Sequence, residues 1–599
     1  MLKYMMSTIL VSAALLSSVF SFNCNAQNKP FFEKDGIRCA ERVLSADDIA
    51  SLRDQVKRTM HKFDTSENML VSKINGWNYH TDAQKATNYH PVRDSLSYAW
   101  VLLASNDPAV LPLAEKCIQN TCALQEKDAT KPYYGVWPYY KEEPLATKKS
   151  PIDYNWADFC GVSLLEIYID FNSRLSDRTK EVMRESIIKA CQAVKKRNVT
   201  VSYTNIAIMG TYLTYTASRL FDLPEIKDYS NAKLNAFLNF TRENNGFEEF
   251  NSPTYTIVAL EELARLKERI TNPEDSKKVD ELVDYGWSMI ARHWHKPTMQ
   301  WAGPNSRSYS SISGNHVLAF IDKALDGKLK TGLRRYGYSL SSNCKVPEKF
   351  QSYFLDPKYP RVERDIFVKK EPQMTGVCSL TNDYAFGTLN RSLMWNQRRP
   401  FSVYFLSNGK AACMTVRMYV DFYDFSCGRM FTERRGERTL SFINFIKNYG
   451  VKHPWIGGLK DGIFEAKDIR IRFALENCNK AEWNNPKEWN SPVFFKAGNQ
   501  LFSAALMYAE FDDLPNGRWE TSSDKKGTYV DYIIYSGSPR KFNLQKMNKA
   551  GFIFGFELNP KNASAEEPEI DENGNAVSAS WKGLKIRGTV KPTWSERNL

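Results

Sequence analysis

Residues 231–270 read NAKLNAFLNF TRENNGFEEF NSPTYTIVAL EELARLKERI. Apolar residues recur at helical spacing in Asn231 to Asn239 and again in Thr256 to Ile270. The loop between them, Gly246 to Tyr255, contains two glutamates, an asparagine, a Ser-Pro break and a tyrosine. Two helical segments joined by a loop of this kind predict paired helices, with Asn251 or Ser252 capping a second helix that starts near Pro253.

The same helical spacing extends over residues 45 to 340. It recurs in further segments: Ala50 to Phe63, Val92 to Ala104, Val110 to Leu124, Phe159 to Phe171, Thr179 to Val194, Ile206 to Leu220 and Val279 to His293. Breakers such as Asn106-Asp107-Pro108 and Asp222-Leu223-Pro224 separate these segments. Because the sequence has no repeat of fixed period, an ordinary solenoid is disfavoured. We predict an α/α toroid, either incomplete or a six-hairpin barrel.

The pattern changes after about residue 360. Alternation in Ile469 to Phe473 is typical of a half-buried antiparallel strand. Further segments read as strands: Arg399 to Ser407, Ala411 to Val420, Asp468 to Leu475, Val530 to Tyr535, Phe552 to Leu558 and Leu584 to Val590. We therefore predict a multidomain α+β protein, with a catalytic toroid over residues 27–355 and an antiparallel β-sandwich over residues 356–599.

The N-terminus has the features of an export signal, which we place at residues 1–26. Lys3 supplies a positive charge, Ile9 to Phe20 form a short apolar core, and Cys24-Asn25-Ala26 approximate a cleavage site. The apolar run is too short to span a bilayer, and no later segment is long and apolar enough. These features predict a periplasmic or secreted protein without an integral membrane segment; a lipid anchor at Cys24 is the alternative.

The composition indicates an anionic partner. Among 599 residues, 81 Lys and Arg exceed 68 Asp and Glu, which gives a net charge of +13. Such an excess attracts anionic ligands, and the sequence lacks the basic tail, zinc knuckle or RNP-like motif of nucleic-acid binders. An aromatic content of 13% with 14 tryptophans suits a groove in which rings stack on sugars. We expect an acidic polysaccharide or oligosaccharide as substrate and no nucleic acid; the sequence leaves the oligomeric state open.

Cysteine and histidine spacing gives no reason to expect a metal or another cofactor. Ten cysteines follow Cys24 without any CxxC motif, which favours buried small hydrophobes; Cys117 and Cys122 could pair locally. His293 and His295 are two residues apart, a spacing that puts them on different faces of a helix. We therefore expect neither a metal site nor a cofactor.

Four polar residues lie at predicted helix ends in the helical half and carry the candidate chemistry. An amide or guanidinium, from Asn205 or Arg307, neutralises a uronate carboxylate and stabilises the enolate-like charge that follows proton removal beside it. Tyr255 or His316 then takes the proton, and a tyrosine can protonate the departing oxygen. We predict these four residues to be catalytic; each also has a structural interpretation as a cap, core residue or ion pair.

Further residues at helix ends and in aromatic loops are candidates for substrate binding. These are Glu249, Asn251, His90, Asn155, Trp156, Trp137 and Tyr309. Trp137 belongs to the five-ring loop Tyr133 to Tyr140, which predicts either a sugar platform or a packed plug of the helical domain.

Two alternatives stay open from the residues. Glu248 and Glu249, with Asp158 or Glu166, could provide the acid and base of a glycoside hydrolase. A non-catalytic glycan-binding protein would instead use the aromatic loop and the paired arginines Arg398 and Arg399. For those two arginines, a salt bridge between the domains is the favoured interpretation over contact with a ligand.

The order of these motifs resembles the heparinase II/III-like group of polysaccharide lyases. The likeness lies in Asn205 opening a helix, the Gly246 to Tyr255 stretch, a later histidine and a β-sandwich half. It implies a toroid before antiparallel sheets, an asparagine that neutralises the uronate, and a tyrosine and histidine that handle protons, which here are Asn205, Tyr255 and His316. The chain is also similar to secreted α/α-barrel glucuronidases, which implies hydrolysis as the alternative reaction.

Overall fold

The computed structural model describes residues 30–74, 80–83, 88–447, 462–561 and 566–594. The predicted signal peptide and Cys24 lie outside these residues. Helices dominate the chain before Leu355, and antiparallel strands dominate it from Arg361 onward. The predicted order, a helical half followed by a β half, is confirmed. In the described ranges, no helix is both long and apolar enough to cross a membrane.

Eleven α-helices lie within the described ranges. They are α1 (Ala46–Thr59), α2 (Val92–Ala104), α3 (Leu111–Ala123), α4 (Asn155–Asp170), α5 (Asp177–Arg197), α6 (Thr204–Leu220), α7 (Pro224–Asn244), α8 (Tyr255–Arg269), α9 (Pro273–His293), α10 (Asn315–Ala324) and α11 (Glu348–Leu355). Helices α2 to α9 form four successive antiparallel hairpins, α2/α3, α4/α5, α6/α7 and α8/α9. Within them, α2, α4, α6 and α8 contact one another in turn as an inner layer, and α3, α5, α7 and α9 form an outer layer. This arrangement is an incomplete α/α toroid, as predicted.

The inner helices all begin at the same end of the toroid, because each follows an outer helix that returns the chain. Asn198 and Asn245 end α5 and α7 in the left-handed conformation, at φ 43° and 56°, which asparagine adopts more readily than most residues. Ser176 and Asn272 cap the outer helices α5 and α9 through their side chains. The helix starts that carry the candidate residues therefore share one face.

The short strands of the helical half form small hairpins, and the strands of the β half form larger sheets. The short strands are β1 (Phe32–Lys34), β2 (Ile37–Cys39), β3 (Phe63–Asp64), β4 (Met69–Leu70), β5 (Ser72–Lys73), β6 (Asn88–Tyr89), β7 (Trp294–His295) and β8 (Gln300–Trp301). The β half contains β9 (Arg361–Val368), β10 (Met374–Leu380), β11 (Tyr384–Leu389), β12 (Arg391–Leu393), β13 (Phe401–Ser407), β14 (Lys410–Val420), β15 (Tyr423–Asp424), β16 (Gly428–Arg435), β17 (Arg438–Phe445), β18 (Ile463–Glu476), β19 (Glu482–Trp483), β20 (Val493–Ala497), β21 (Gln500–Phe511), β22 (Arg518–Asp524), β23 (Gly527–Asn543), β24 (Ala550–Leu558), β25 (Glu569–Asn573), β26 (Ala576–Trp581) and β27 (Leu584–Thr589).

Two antiparallel sheets build the sandwich. One has the order β22-β23-β18-β14-β13-β11-β10-β9, with β15 paired to β14, and the other has the order β12-β16-β17-β24-β21-β20-β19. Aromatic side chains fill the space between them; Phe556 contacts Phe386 and Phe401 across the sheets. The small sheet β25-β26-β27 covers the outer face of the second sheet through a cluster that includes Trp581.

The first sheet packs its other face against the helical half. Phe250, in the loop before α8, stacks on Phe367 of β9 with ring centroids 3.9 Å apart. Gly387 of β11 faces the Gly303 carbonyl, and a Cβ on Gly387 would lie 2.2 Å from that oxygen. No larger residue fits there without moving backbone, so the loop around Gly303 is seated directly on the sheet.

A network of charged side chains lies inside the toroid, enclosed by inner helices. Glu166 and Asp170 of α4 are fully enclosed and face Arg42, Arg265 and Arg269 at 2.9 to 3.8 Å. Burial, together with the nearby Asp170 carboxylate, raises the pKa of Glu166 to about 7 against the pull of the arginines. Removing one partner of such a network costs about 3–5 kcal/mol, because a buried charge is left without compensation.

All ten cysteines in the described ranges are buried and free. The expectation that they act as small core residues is confirmed, and Cys117 and Cys122 do not pair. Burial raises the pKa of most of these thiols, including that of Cys39 to about 12.

Candidate active site

The loop before α8 is held by Asn251, which lies in the left-handed conformation at φ 43°. Its Nδ2 donates to the carbonyl oxygens of Ala302 at 2.9 Å and Pro304 at 2.7 Å, and its Oδ1 accepts a hydrogen bond from the Trp301 indole. Asn251 is fully buried. Asn251 was predicted to bind substrate, but all these bonds join its side chain to residues 301–304, so it holds the loop in place.

Ser252 fixes the start of α8. Its Oγ accepts a hydrogen bond from the Tyr255 backbone N–H at 3.1 Å and donates to the Arg307 carbonyl at 2.7 Å. The predicted helix-start signal therefore has a second effect: the same hydroxyl sets the backbone of Tyr255 and the backbone of Arg307 relative to each other.

Arg307 is the centre of the candidate site. Its Nη2 donates to Tyr255 Oη at 3.0 Å, its Nη1 to Glu249 Oε1 at 2.7 Å, and its Nε to Gln397 Oε1 at 2.9 Å. The guanidinium carbon also lies 4.1 Å from the centre of the Tyr255 ring. Three nitrogens are thus held by three different residues, which leaves the planar group one orientation.

The Tyr255 hydroxyl lies between Arg307 and a second tyrosine. Its Oη is 2.7 Å from Tyr309 Oη, and Tyr309 is 64% exposed. Burial raises the pKa of Tyr255 well above its usual range, and Arg307 opposes that rise. Tyr255 is therefore protonated at neutral pH, with a hydrogen-bonded path to solvent through Tyr309.

Glu249 connects α6 to this cluster. Its Oε2 accepts a hydrogen bond from the Asn205 backbone N–H at 3.1 Å, while its Oε1 accepts from Arg307. Burial raises the pKa of Glu249, and Arg307 acts in the opposite direction. The side chain of Asn205 is also buried, and its Oδ1 accepts no hydrogen bond from any described residue. This buried acceptor is therefore available to a hydrogen-bond donor of a bound molecule.

Other predicted residues continue the rim toward α4 and α2. Asn155 Nδ2 donates to Tyr203 Oη at 3.4 Å, and Arg197 donates to Asn155 Oδ1 at 2.6 Å. Trp156 stacks on Tyr139 with ring centroids 3.8 Å apart. Asn155 is half-buried and Trp156 is 8% exposed, so Asn155 is the more accessible of the two.

Three predicted residues lie away from the cluster around Arg307. Trp137 is a correction: it is 1% exposed, its indole donates to the Thr121 carbonyl at 2.9 Å, and it therefore packs in the core rather than forming a platform. His90 is held between Glu142 and Asp64. His316 is exposed in the first turn of α10 and lines a separate cavity beside Pro253 and Arg334.

The carboxylates of the hydrolase alternative are differently placed. Glu166 belongs to the enclosed charge network, where Tyr212 also donates to it. Asp158 is 2% exposed, and burial raises its pKa to about 7 despite Arg197. Glu249 is already bonded to two donors, which leaves Glu248 as the one exposed carboxylate of this group.

The histidine pair joins the two halves of the chain. His293 Nε2 lies 3.0 Å from Asp365 of β9, and His295 Nε2 donates to the Thr381 carbonyl at 2.8 Å. Within the described ranges, no group of three or more His, Cys, Asp or Glu side chains is placed to hold a metal ion.

Gln397 and Tyr203 were not predicted as site residues, and Ser252 was predicted only as a helix cap. Gln397 is 3% exposed and lies ninety positions beyond its partner Arg307. The adjacent Arg398 and Arg399 drew attention to this segment of the sequence. They predicted a salt bridge between the domains, however, and not an amide that orients Arg307.

Comparisons with known proteins give one family model and several solved structures that are similar to this chain. A family model described as a domain of unknown function, DUF8769, matches residues 61–326. No curated protein matches the chain. Among solved structures, the chain is similar to a heparinase III at 10% identity (TM-score 0.34, 92% of this chain and 91% of that one). It is also similar to a chondroitinase AC lyase at 9% identity (TM-score 0.40, 90% and 85%) and to a Paenibacillus xanthan lyase at 9% identity (TM-score 0.37, 89% and 60%).

Proposed function

We propose that this protein is an exported polysaccharide lyase that cleaves a glycan containing uronic acid by β-elimination. The observation that supports this most is the hydrogen-bonded group of Tyr255, Arg307, Glu249 and Asn205 at the starts of two neighbouring inner helices. It joins a proton-transfer residue to a cationic group and to the helix start that carries an amide side chain, and an elimination of this kind requires these functions.

The roles follow from the contacts. Asn205 Nδ2 donates to the uronate carboxyl group, and its Oδ1, which has no partner among the described residues, accepts from a sugar hydroxyl. Arg307 stabilises the negative charge that develops on that carboxyl group while it holds Tyr255 in place. Glu249 positions Asn205 and Arg307 and transfers no proton itself.

Tyr255 acts first as the base and then as the acid. Before the reaction, its phenol proton leaves toward solvent through Tyr309, whose hydroxyl is 2.7 Å away. The phenolate, paired with Arg307, then removes the proton beside the carboxyl group, and the regenerated phenol donates it to the departing glycosidic oxygen. The C–O bond breaks as the C=C bond forms, so the reaction consumes no water.

The hydrolase alternative has less support. It needs two accessible carboxylates at a suitable separation, whereas Glu166 and Asp158 are buried and Glu249 is occupied by two donors. A purely binding role would leave the arrangement of Tyr255 and Arg307 without a use.

The test is incubation of the purified protein with acidic glycans, followed by ultraviolet absorbance of the unsaturated product. Tyr255→Phe should abolish product formation and keep the fold, since only one hydroxyl is lost. Tyr336→Phe is the matched control, because Tyr336 is 54% exposed and lies outside the cluster. New reducing ends without absorbance would indicate hydrolysis, and a fully active Tyr255→Phe variant would exclude Tyr255 as the proton-transfer residue.

A further inference from the structure

The segment Trp395 to Arg399, which precedes β13, is hydrogen-bonded to the loop that carries Arg307. The backbones of Asn305 and Arg399 exchange two hydrogen bonds of 3.1 and 3.0 Å, and the Ser308 N–H donates to the Gln397 carbonyl at 2.7 Å. The intervening residue, Arg398, is therefore fixed beside the candidate site by backbone contacts on both sides.

The side chains of the two adjacent arginines differ in their contacts. Arg399 donates to Ser311 Oγ at 3.1 Å and to the carbonyl oxygens of Asn396 at 2.6 Å and Arg398 at 2.9 Å. The guanidinium of Arg398 makes no hydrogen bond or ion pair with any described residue, although its Nε is buried. Arg399 thus has a structural role, whereas the Arg398 side chain has no polar partner in the part of the chain that the structure describes.

The charges around Arg398 belong to the candidate site. Burial lowers the pKa of Arg398, the carboxylates of Glu248 and Glu249 raise it, and Arg307 lowers it further. None of these carboxylates approaches closely enough to form an ion pair with it. A partly enclosed cation without a partner destabilises the free protein, and an anionic ligand would supply the missing partner.

We propose that Arg398 is a substrate-binding residue, contributed by the β half, that pairs with an anionic group of a sugar unit bound at the cluster around Arg307. The anion is a carboxylate or a sulfate, because both match the forked donors of a guanidinium. This inference rests on the proposed function. It assigns Arg398 to binding and not to proton transfer, which remains with Tyr255.

Affinity electrophoresis tests the proposal without requiring turnover. The Tyr255→Phe protein is run through gels that contain hyaluronan, chondroitin sulfate or neutral dextran, with and without a second change, Arg398→Gln. We expect Arg398→Gln to weaken retention by an acidic polymer by about tenfold or more, and Arg398→Lys to retain part of it. Arg518→Gln is the control, since it removes the same charge from an exposed arginine in β22 that pairs with Glu520.

The outcomes test the role of Arg398 and the proposed function separately. Loss of retention in both acidic polymers assigns a carboxylate, and loss in the sulfated polymer alone assigns a sulfate. Unchanged retention of Arg398→Gln, or an equal loss in Arg518→Gln, would overturn the role of Arg398. Failure of the otherwise unchanged protein to be retained by or to cleave any acidic glycan would instead overturn the proposed function.

A second measurement needs no glycan. Because Arg398 pairs with no described residue, Arg398→Gln should melt at the same temperature as the unchanged protein or higher. A clear fall in melting temperature would mean that Arg398 holds the two halves together, and it would contradict the proposal.

Discussion

Replacing Arg307 by lysine tests the central contact of the candidate site. Lysine keeps the positive charge but replaces a planar fork of donors with a single ammonium group. Arg307 donates to Tyr255, Glu249 and Gln397 at 3.0, 2.7 and 2.9 Å through three separate nitrogens. One ammonium group cannot reach all three acceptors from the same backbone position, and the Glu249 carboxylate is its strongest attractor.

The expected effect follows from the contact that is lost. If lysine stays with Glu249, the Tyr255 phenolate loses its charged hydrogen bond, which contributes about 2–3 kcal/mol. That loss corresponds to a decrease in kcat of about 30- to 150-fold. Because Glu249 remains paired, the free energy of unfolding should change by less than about 2 kcal/mol.

The assay is steady-state formation of unsaturated product from an acidic glycan, with thermal melting measured in parallel. Arg518→Lys is the control, since Arg518 is an exposed arginine in β22. A kcat within threefold of the unchanged protein would refute the role of the three-way contact. A collapse in melting temperature would show instead that Arg307 acts mainly as a structural ion pair.

Three further predictions concern the orientation of Arg307, proton transfer and the joint between the halves. Gln397→Leu should lower kcat about tenfold with little change in KM, because Arg307 Nε loses its acceptor. Gln397→Glu keeps an acceptor and should retain most of the activity. Equal losses of kcat in both variants would contradict this role of Gln397. Because the pKa of Tyr255 is raised, its deprotonated fraction still grows above neutral pH, so kcat should rise from neutral to alkaline pH. A kcat that falls over this pH range would exclude a tyrosine base. Burial alone would lower the pKa of His293, but its hydrogen bond to Asp365 raises it to about 10. His293→Gln should therefore lower the free energy of unfolding by about 3 kcal/mol at low pH. Melting experiments should show that the stability difference between the variant and the unchanged protein declines between about pH 6.5 and pH 10. A stability difference that grows with pH would contradict the pairing of His293 with Asp365.

Local patterns predicted the elements well where apolar spacing and breakers agree. The predicted helix Val92 to Ala104 matches α2 at both ends, and the predicted strand Phe552 to Leu558 lies within β24. The eight residues of α11 were not predicted, because a helix of two turns gives too short a window for helical periodicity. Strand β9 was also missed, since its alternation lies between charged residues.

The candidate site was predictable only in part. Tyr255, Arg307, Glu249 and Asn205 stand out by residue type at helix starts and in turn-rich loops, and the structure brings these four together. The distant members, Gln397 and Arg398, come from the β half and have no local signal that specifies their contacts. Trp137 shows the opposite case, because an aromatic loop gives the same sequence pattern whether its rings face a sugar or the core.

The ten buried cysteines give the protein an asymmetric response to oxidants. Thiolates, not thiols, react with disulfides and peroxides, and burial keeps these side chains out of reach of both. Unfolding exposes every one of them together, with ordinary acidity. In an oxidising medium, the unfolded chain can then form many different cross-links, none of which occurs in the folded protein. The rate of unfolding therefore governs how long the folded protein persists in such a medium, because oxidation can make an unfolding event irreversible.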